Sequence, residues 1–349
     1  MIRLTSLTCL ALLAAVPATA QQGPRILPVS ADAAWVHANS GLTLPVTLIG
    51  LPRTQVREFE GPELDVVGTY TDGPGELTVY VYRTLSGAVP VWFDRAVWAI
   101  ESRDGWGTLT PIAAPVAVAP PGRGTASGLA QGWTIAGGPY RGTAVALLPM
   151  GEWLVKLRYS SKADDGPTAL AKVRTALAGL TWPAAAVDAA AAVPVAACPD
   201  ALRFKGQAKA LAPDLTSSMM GALLANASTI KRGTSAPARI WCRDAATVPM
   251  GAVYRPDAQG DGYLLALSDA GRGIWVGPAA TGLVAKDKKI AWGVDFITPG
   301  RTIVFPEQDR LPAPEQVLTI ASGRPNSVVT TWGKERTVTI SPDALKSKK

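Results

Sequence analysis

The sequence offers few side chains for nucleophilic catalysis. Its one histidine is His37, so a triad of serine, histidine and aspartate would have to use that residue. His37 lies in the short segment WVHANSG, and no G-x-S-x-G motif occurs in the chain. A histidine beside Trp35 and Val36 is more typical of a packing or surface position. We therefore predict no catalytic residue of this kind.

Cysteine supplies the next candidate chemistry. Cys9 lies in the N-terminal leader, which leaves Cys198 and Cys242. An isolated pair in an oxidising compartment typically forms a structural disulfide, and its loop of about 45 residues would stabilise the fold by roughly 4 kcal/mol. A redox dithiol usually requires C-x-x-C spacing. With so few nitrogen and sulfur ligands left, we predict no metal site and no cofactor.

Paired carboxylates can hydrolyse glycosidic bonds without histidine. Asp94 and Glu101 are candidates, although the sequence does not rank them above other acidic residues. Tryptophan is abundant, with eleven residues that either line a sugar or peptide site or pack a core. Two groups stand out in the sequence: Trp92, Trp98 and Trp106, and then Trp133 and Trp153. A hydrolase acting on envelope carbohydrate or peptide stays open as the alternative function, and ligand-binding residues stay unknown.

The first twenty residues have the features of a secretory signal peptide. Arg3 supplies a positive start, Leu7–Val16 is an apolar run too short to cross a bilayer, and Ala18–Ala20 offers small residues for cleavage. Cleavage after Ala20 predicts a periplasmic or secreted protein. No later stretch reaches about 18 apolar residues, so we expect no transmembrane segment in the mature chain.

The segment Ala184–Ala197, which reads AAAVDAAAAVPVAA, is predicted to be a linker. It has neither turn chemistry nor an amphipathic period. A length of 349 residues fits about two domains, so we expect residues 21–183 and 198–349 to fold separately.

The charge differs between the two sides of the chain. Residues 21–183 contain 13 Lys and Arg against 13 Asp and Glu, whereas residues 184–349 contain 20 against 14. The basic excess either attracts an anionic envelope component or simply keeps the surface solvated. Export argues against intracellular nucleic acid as a partner, and the oligomeric state stays unknown.

Two hairpins and a helix are predicted in the first half. Alternating residues mark strands at 66–70 with 76–83 and at 143–148 with 153–159. In the last strand Trp153 and Val155 face one way, and Lys156 and Arg158 face the other. A helix follows from Pro167 and ends before Trp182-Pro183. The segment 92–100 is ambiguous between helix and strand, and 111–132 is expected to be a loop.

The second hairpin and this helix resemble the end of PsbP-like α/β modules. The similarity rests on YRGTAVALLPMGEWLVKLRYSS followed by ALAKVRTALAGLTWP, about 50 residues. It implies a strand pair with a helix packed on the sheet and, at most, a binding or scaffolding role, with no site residue to transfer. The whole chain is also similar to uncharacterised exported proteins of Gram-negative bacteria.

The second half is predicted to be strand-rich. One helix is expected from Asp214, as the N-cap, to about Ser228. The predicted strands are 239–242, 252–254, 263–267, 273–276, 302–305, 317–321, 328–332 and 336–340. The sequence therefore predicts an α+β protein of two domains, each an antiparallel β-sheet with one main helix. The expected function is that of an exported, non-catalytic envelope protein that binds a partner or ligand.

Overall fold

A computed structural model describes residues 23–184, 189–212, 239–279, 291–334 and 336–342. Strands predominate in these ranges, with three helices, which confirms an α+β fold that is mainly β. The predicted signal peptide and the helix predicted at 214–228 lie outside the described residues. Among the described helices, none is long and apolar enough to span a membrane.

The first sheet has ten antiparallel strands, and a separate strand pair, β2 with β3, lies beside it. The main strand order is β1-β5-β6-β7-β12-β11-β10-β8, with β4 on β5 and β9 on β10. The strands are β1 (Arg25–Ile26), β2 (Trp35–Val36), β3 (Thr43–Leu44), β4 (Thr47–Leu48), β5 (Leu51–Glu60), β6 (Asp65–Thr71), β7 (Gly75–Arg83), β8 (Thr108–Pro111), β9 (Val116–Val118), β10 (Gly128–Ala136), β11 (Gly142–Met150) and β12 (Trp153–Ser161).

Both predicted hairpins of this sheet form, as β6–β7 and β11–β12. The segment that was ambiguous becomes helix α1 (Val89–Glu101). Helix α2 (Gly166–Gly179) begins as predicted, because Pro167 suits the first turn and the Asp165 side chain accepts a hydrogen bond from the Thr168 N–H. Its apolar stripe packs on one face of the sheet in a large hydrophobic cluster.

The loop expected at 111–132 is only partly correct, because β9 and the start of β10 lie within it. The richness of the segment in Pro, Gly and Ala had predicted a loop. At Gly132, however, an added Cβ would lie 3.1 Å from the Gly166 carbonyl oxygen, where α2 packs against β10. Glycine here permits close packing of a helix on a strand rather than a turn.

The second sheet has nine strands in sequential order from β13 to β21. All pairs are antiparallel except β13 with β14, which is parallel and departs from the prediction. The strands are β13 (Ala196–Ala197), β14 (Trp241–Val248), β15 (Gly251–Pro256), β16 (Tyr263–Leu267), β17 (Arg272–Pro278), β18 (Trp292–Ile297), β19 (Arg301–Val304), β20 (Ser327–Thr330) and β21 (Val338–Ile340).

The predicted disulfide between Cys198 and Cys242 is confirmed, and it joins the chain just after β13 to β14. The strand predicted at 317–321 is wrong, since helix α3 (Pro314–Ala321) occupies that segment. A five-residue apolar run does not separate strand from buried helix by its period. Pro314 at the start decides it here, because proline suits the first helical turn.

The other face of the first sheet packs against the second sheet. Helix α1 lies between the two sheets. Its Trp92 and Phe93 join one hydrophobic cluster with Leu147 of the first sheet and with Tyr254 and Leu264 of the second. Because this cluster draws on both sides of the 184–197 segment, separate folding of the two halves stays a prediction.

Candidate ligand-binding cleft between the sheets

Buried arginines connect the two sheets around this cluster. Arg95 of α1 donates hydrogen bonds to the carbonyl oxygens of Met250 and Ser268 at 2.9 and 2.8 Å. Arg83, at the end of β7, donates to the carbonyl oxygen of Pro299 at 2.7 Å. Both side chains are almost fully buried. A buried guanidinium requires hydrogen-bond acceptors, and these carbonyl oxygens provide them.

Beside these contacts the sheets separate and enclose a cleft of about 650 Å³. Its floor is the face of the first sheet that looks towards the second, where Lys156 lies opposite Tyr80 and Arg158 lies opposite Val145. Helix α1 forms one wall, and the turn between β16 and β17 forms another. The lining side chains are Pro24, Phe59, Asp65, Tyr80, Ala96, Ala99, Ile100, Arg103, Val145, Lys156, Arg158, Asp269, Ala270 and Arg272, with Gly23.

Two ion pairs cross the cleft between the halves of the chain. The Lys156 ammonium lies 2.7 Å from the Asp269 carboxylate, and Arg272 lies 2.8 Å from Asp65. Burial opposes ionisation of Asp269, but the charge and hydrogen bond of Lys156, together with the charges of Arg158 and Arg95, outweigh it and hold the pKa of the Asp269 carboxyl below its ordinary value. At Asp65 burial outweighs the charge and hydrogen bond of Arg272 and raises the pKa of the carboxyl. Each half therefore supplies one cation and one carboxylate, and each carboxylate is ion-paired.

Arg158 differs from these residues because it forms no ion pair within the described residues, although the charge of Asp269 acts on it from a greater distance. Its Nε and Nη2 atoms are buried and meet no hydrogen-bond acceptor in the described part of the chain. The guanidinium carbon lies 4.7 Å from the ring centre of Trp106. Burial, together with the nearby charge of Arg103, lowers the pKa of Arg158 to about 10. The group therefore carries its charge at neutral pH.

The cations of the cleft outnumber its carboxylates by four to two. Arg103 adds to the excess, and its guanidinium also lies over Trp106, at 5.1 Å. Trp106 in turn packs against Tyr140, with ring centres 4.8 Å apart. The indole thus holds two guanidinium groups close together at the cleft, although like charges repel. Such an arrangement is suited to receiving a carboxylate or phosphate, which arginine binds through parallel hydrogen bonds.

The carboxylates proposed from the sequence have other roles. Asp94 accepts a hydrogen bond from the Tyr254 hydroxyl at 2.6 Å and pairs with Arg243 at 3.2 Å. Glu101 accepts a hydrogen bond from the Trp133 indole at 3.0 Å. Both residues lie on α1, and neither is among the residues that line the cleft. The structure therefore does not bring them together over a substrate site.

His37 is fully buried and packs edge-on against Trp153. Its Nδ1 lies 2.7 Å from the Ser40 hydroxyl, and its Nε2 lies 2.7 Å from the Glu63 carbonyl oxygen. The Ser40 contact closes the turn before β3, and neither His37 nor Ser40 lines the cleft. Burial lowers the pKa of His37, although the Glu63 bond opposes this.

The tryptophan groups divide between core and cleft. Trp92, Trp133 and Trp153 are buried in hydrophobic clusters. Trp98 lies beneath the Arg95 guanidinium at 4.2 Å, and Trp106 supports the cleft arginines. The cleft itself was not predicted from the sequence. The one signal for it was the alternation in β12, which places Lys156 and Arg158 on the face opposite Trp153 and Val155.

Comparison of the chain with protein-family models, curated proteins and solved structures finds no match. The resemblance to PsbP-like modules therefore stays a prediction.

Proposed function

We propose that this chain is an exported binding protein whose cleft between the two sheets receives an anionic ligand. The observation that carries the proposal is the Arg158 guanidinium, which has two buried nitrogens without acceptors in the described ranges. A cation with buried nitrogens that lack acceptors costs free energy, and the negative charge of an anion in the cleft would offset part of that cost. Export rests on the predicted leader, and an anionic envelope component is the expected source of the ligand.

The other arginines of the molecule support this interpretation. Arg95 finds two carbonyl oxygens, as described above, and the buried Arg255 pairs with Asp244 at 3.2 Å. The protein thus satisfies guanidinium groups where their role is structural. Arg158 departs from that pattern at the point where the molecule has a cleft large enough for an organic ligand.

Binding is favoured over the alternative of hydrolysis by paired carboxylates. Asp65 and Asp269 are the two carboxylates of the cleft, and each is held by a cation at 2.7 to 2.8 Å. A general acid must carry a proton and be free to deliver it to the leaving group. Asp269, whose pKa is lowered, is poorly suited to that task. Burial raises the pKa of Asp65, but its Oδ2 atom accepts a hydrogen bond from Arg272 and is not free to deliver a proton.

The test compares thermal unfolding in phosphate, pyrophosphate and citrate with unfolding in chloride at equal ionic strength. An anion that binds the folded state should raise the midpoint by mass action. Arg158→Met should remove most of that rise. Arg174→Met is the matched control, because Arg174 is exposed on α2, against the opposite face of the first sheet.

General salt effects on stability act on all three proteins alike, so the difference between variants is the readout. An equal rise in the parent protein and in Arg158→Met would reject the proposal.

A further inference from the structure

The cleft is not uniformly polar. Ala96, Ala99 and Ile100 of α1 form an apolar wall beside the cations, with Val145 below them. On the far side Phe59 lines the cleft with its side chain 44% exposed. Phe59 belongs to none of the hydrophobic clusters that the described residues form. An exposed aromatic ring at the mouth of a charged cleft is an apolar surface without a partner.

The positions of these groups follow from the strand order. Arg158 lies on β12 and Phe59 lies on β5, with β7 and β6 between them. At about 4.8 Å per strand, the two residues lie roughly 14 Å apart perpendicular to the strands. The register also offsets them by three to four residues, or about 10–13 Å, along the strands, so the ligand would have to span roughly 18–20 Å. Tyr80 of β7 lies on this path, and so does Asp65 of β6, whose charge Arg272 neutralises. One end of the cleft floor therefore carries Arg158, which forms no ion pair with the residues described, and the other end carries the exposed ring of Phe59.

The volume of the cleft also exceeds what a small inorganic anion needs. One water molecule takes about 30 Å³, so an ion such as phosphate would leave most of the 650 Å³ to solvent. Organic ligands occupy pockets of about 300–1,000 Å³.

From these observations, and on the basis of the function proposed above, we infer that the ligand is an amphipathic anion. Its carboxylate or phosphate monoester head lies against Arg158 and Arg103. Its hydrocarbon or aromatic body extends across Tyr80 towards Phe59. Burial of that body releases water from the apolar walls, and its contribution adds to the electrostatic attraction of the head.

The experiment measures affinity by calorimetry for a series of n-alkyl phosphates, from methyl to decyl, below their aggregation concentrations. Inorganic phosphate and n-alkyl carboxylates are measured in parallel to separate the contribution of the head group. Affinity should rise about threefold to fourfold per methylene while the chain still gains contact with the cleft. Arg158→Met should weaken every member of the series, and Arg174→Met should weaken none.

Phe59→Ser tests the apolar end independently. Because Phe59 is partly exposed, its replacement should not disturb folding, and it should reduce the gain per methylene for the longer chains. Affinity that is flat across the series would overturn the amphipathic ligand and leave anion binding intact. Equal affinity for neutral decanol would overturn it as well, since the head would then contribute nothing. Absence of any binding that depends on Arg158 would overturn the function proposed above.

Discussion

Arg95 and Arg158 are similar side chains in different parts of the space between the sheets. Each guanidinium lies over a tryptophan, Trp98 in one case and Trp106 in the other. Burial lowers the pKa of both. Arg95 nevertheless donates to two carbonyl oxygens of the second half, whereas two nitrogens of Arg158 have no acceptor among the described residues.

This difference in hydrogen-bond acceptors identifies Arg95 as a structural contact and Arg158 as part of a candidate binding site. Stacking on an indole positions a guanidinium but does not replace its hydrogen bonds with water. Around Arg95 the second half supplies that replacement, so the sheets are closed there. Around Arg158 the described residues of the second half do not supply it, and two nitrogens of this cation lack acceptors there. Replacing Arg95 should therefore lower the stability of the protein. Replacing Arg158 should lower ligand binding and leave the stability unchanged or slightly higher.

The largest effect is expected at Arg95. Arg95→Met keeps much of the apolar stem but removes two charge-assisted hydrogen bonds, so the free energy of unfolding should fall by about 3–5 kcal/mol. Arg158→Met should leave it unchanged or raise it by up to about 1 kcal/mol, because an unpaired buried charge is lost. Urea unfolding of both variants measures this. Similar losses at the two sites would show that Arg158 is a structural residue.

An intermediate effect is expected for the ion pair of Lys156 with Asp269, which lies between the closed region and the open end of the cleft. A double-mutant cycle with Lys156→Met and Asp269→Asn should give a coupling of about 1–2 kcal/mol. The Asp269 side chain is 31% exposed, so solvent screens the pair in part. The coupling should decrease as salt is added. A coupling near zero would mean that the turn between β16 and β17 is held by other contacts.

The smallest effect is expected at His37, a buried group that is neutral rather than charged. Its folded pKa lies below the unfolded value of about 6.5, so the unfolded chain binds more protons between the two values. The stability that His37 contributes is thus complete above about pH 6.5 and is lost as pH falls through the folded pKa.

One proton limits the slope to about 1.4 kcal/mol per pH unit. Burial also raises the pKa of Asp295 to about 7, so this carboxyl titrates in the same range with the opposite effect on stability. The readout is therefore the difference in unfolding free energy between the parent protein and His37→Gln, which has no titrating group at this position, measured from pH 7.5 to 5.5. That difference should shift against the parent protein as pH falls, with a slope no steeper than the one-proton limit. A difference that stays constant across the range would show that the pKa of His37 does not affect stability.

Local patterns predicted much of the fold correctly. The hairpins β6–β7 and β11–β12 have strict alternation and turn residues between their strands, so their period is not ambiguous. Helix α2 carries Asp165 and Pro167 at its start, which identify a helix N-terminus within a few residues. The strand predicted at 317–321 was wrong because a short apolar run suits a strand and a buried helix equally. Pro314, which suits a first helical turn, was the one signal that favoured the helix.

The candidate site was much less accessible from the sequence. Its cations come from positions 103, 156, 158 and 272, and its carboxylates come from 65 and 269. No motif joins residues this far apart. Alternation in β12 did indicate that Lys156 and Arg158 leave the face of Trp153. It did not indicate whether that second face meets water or another sheet.

The sequence by itself determined the disulfide, since two cysteines outside the predicted leader leave only one pairing. It also determined the alternation of β12 and the coarse α+β class, because these depend on residue type and short-range period. Only the tertiary structure decided which charges find partners. Packing of α1 and the second sheet onto the first brings Ser268 and Met250 to Arg95, whereas no residue with described placement brings an acceptor to the buried nitrogens of Arg158. The energy of a buried charge depends on neighbours that are distant in the chain, and so the cleft became visible only in three dimensions.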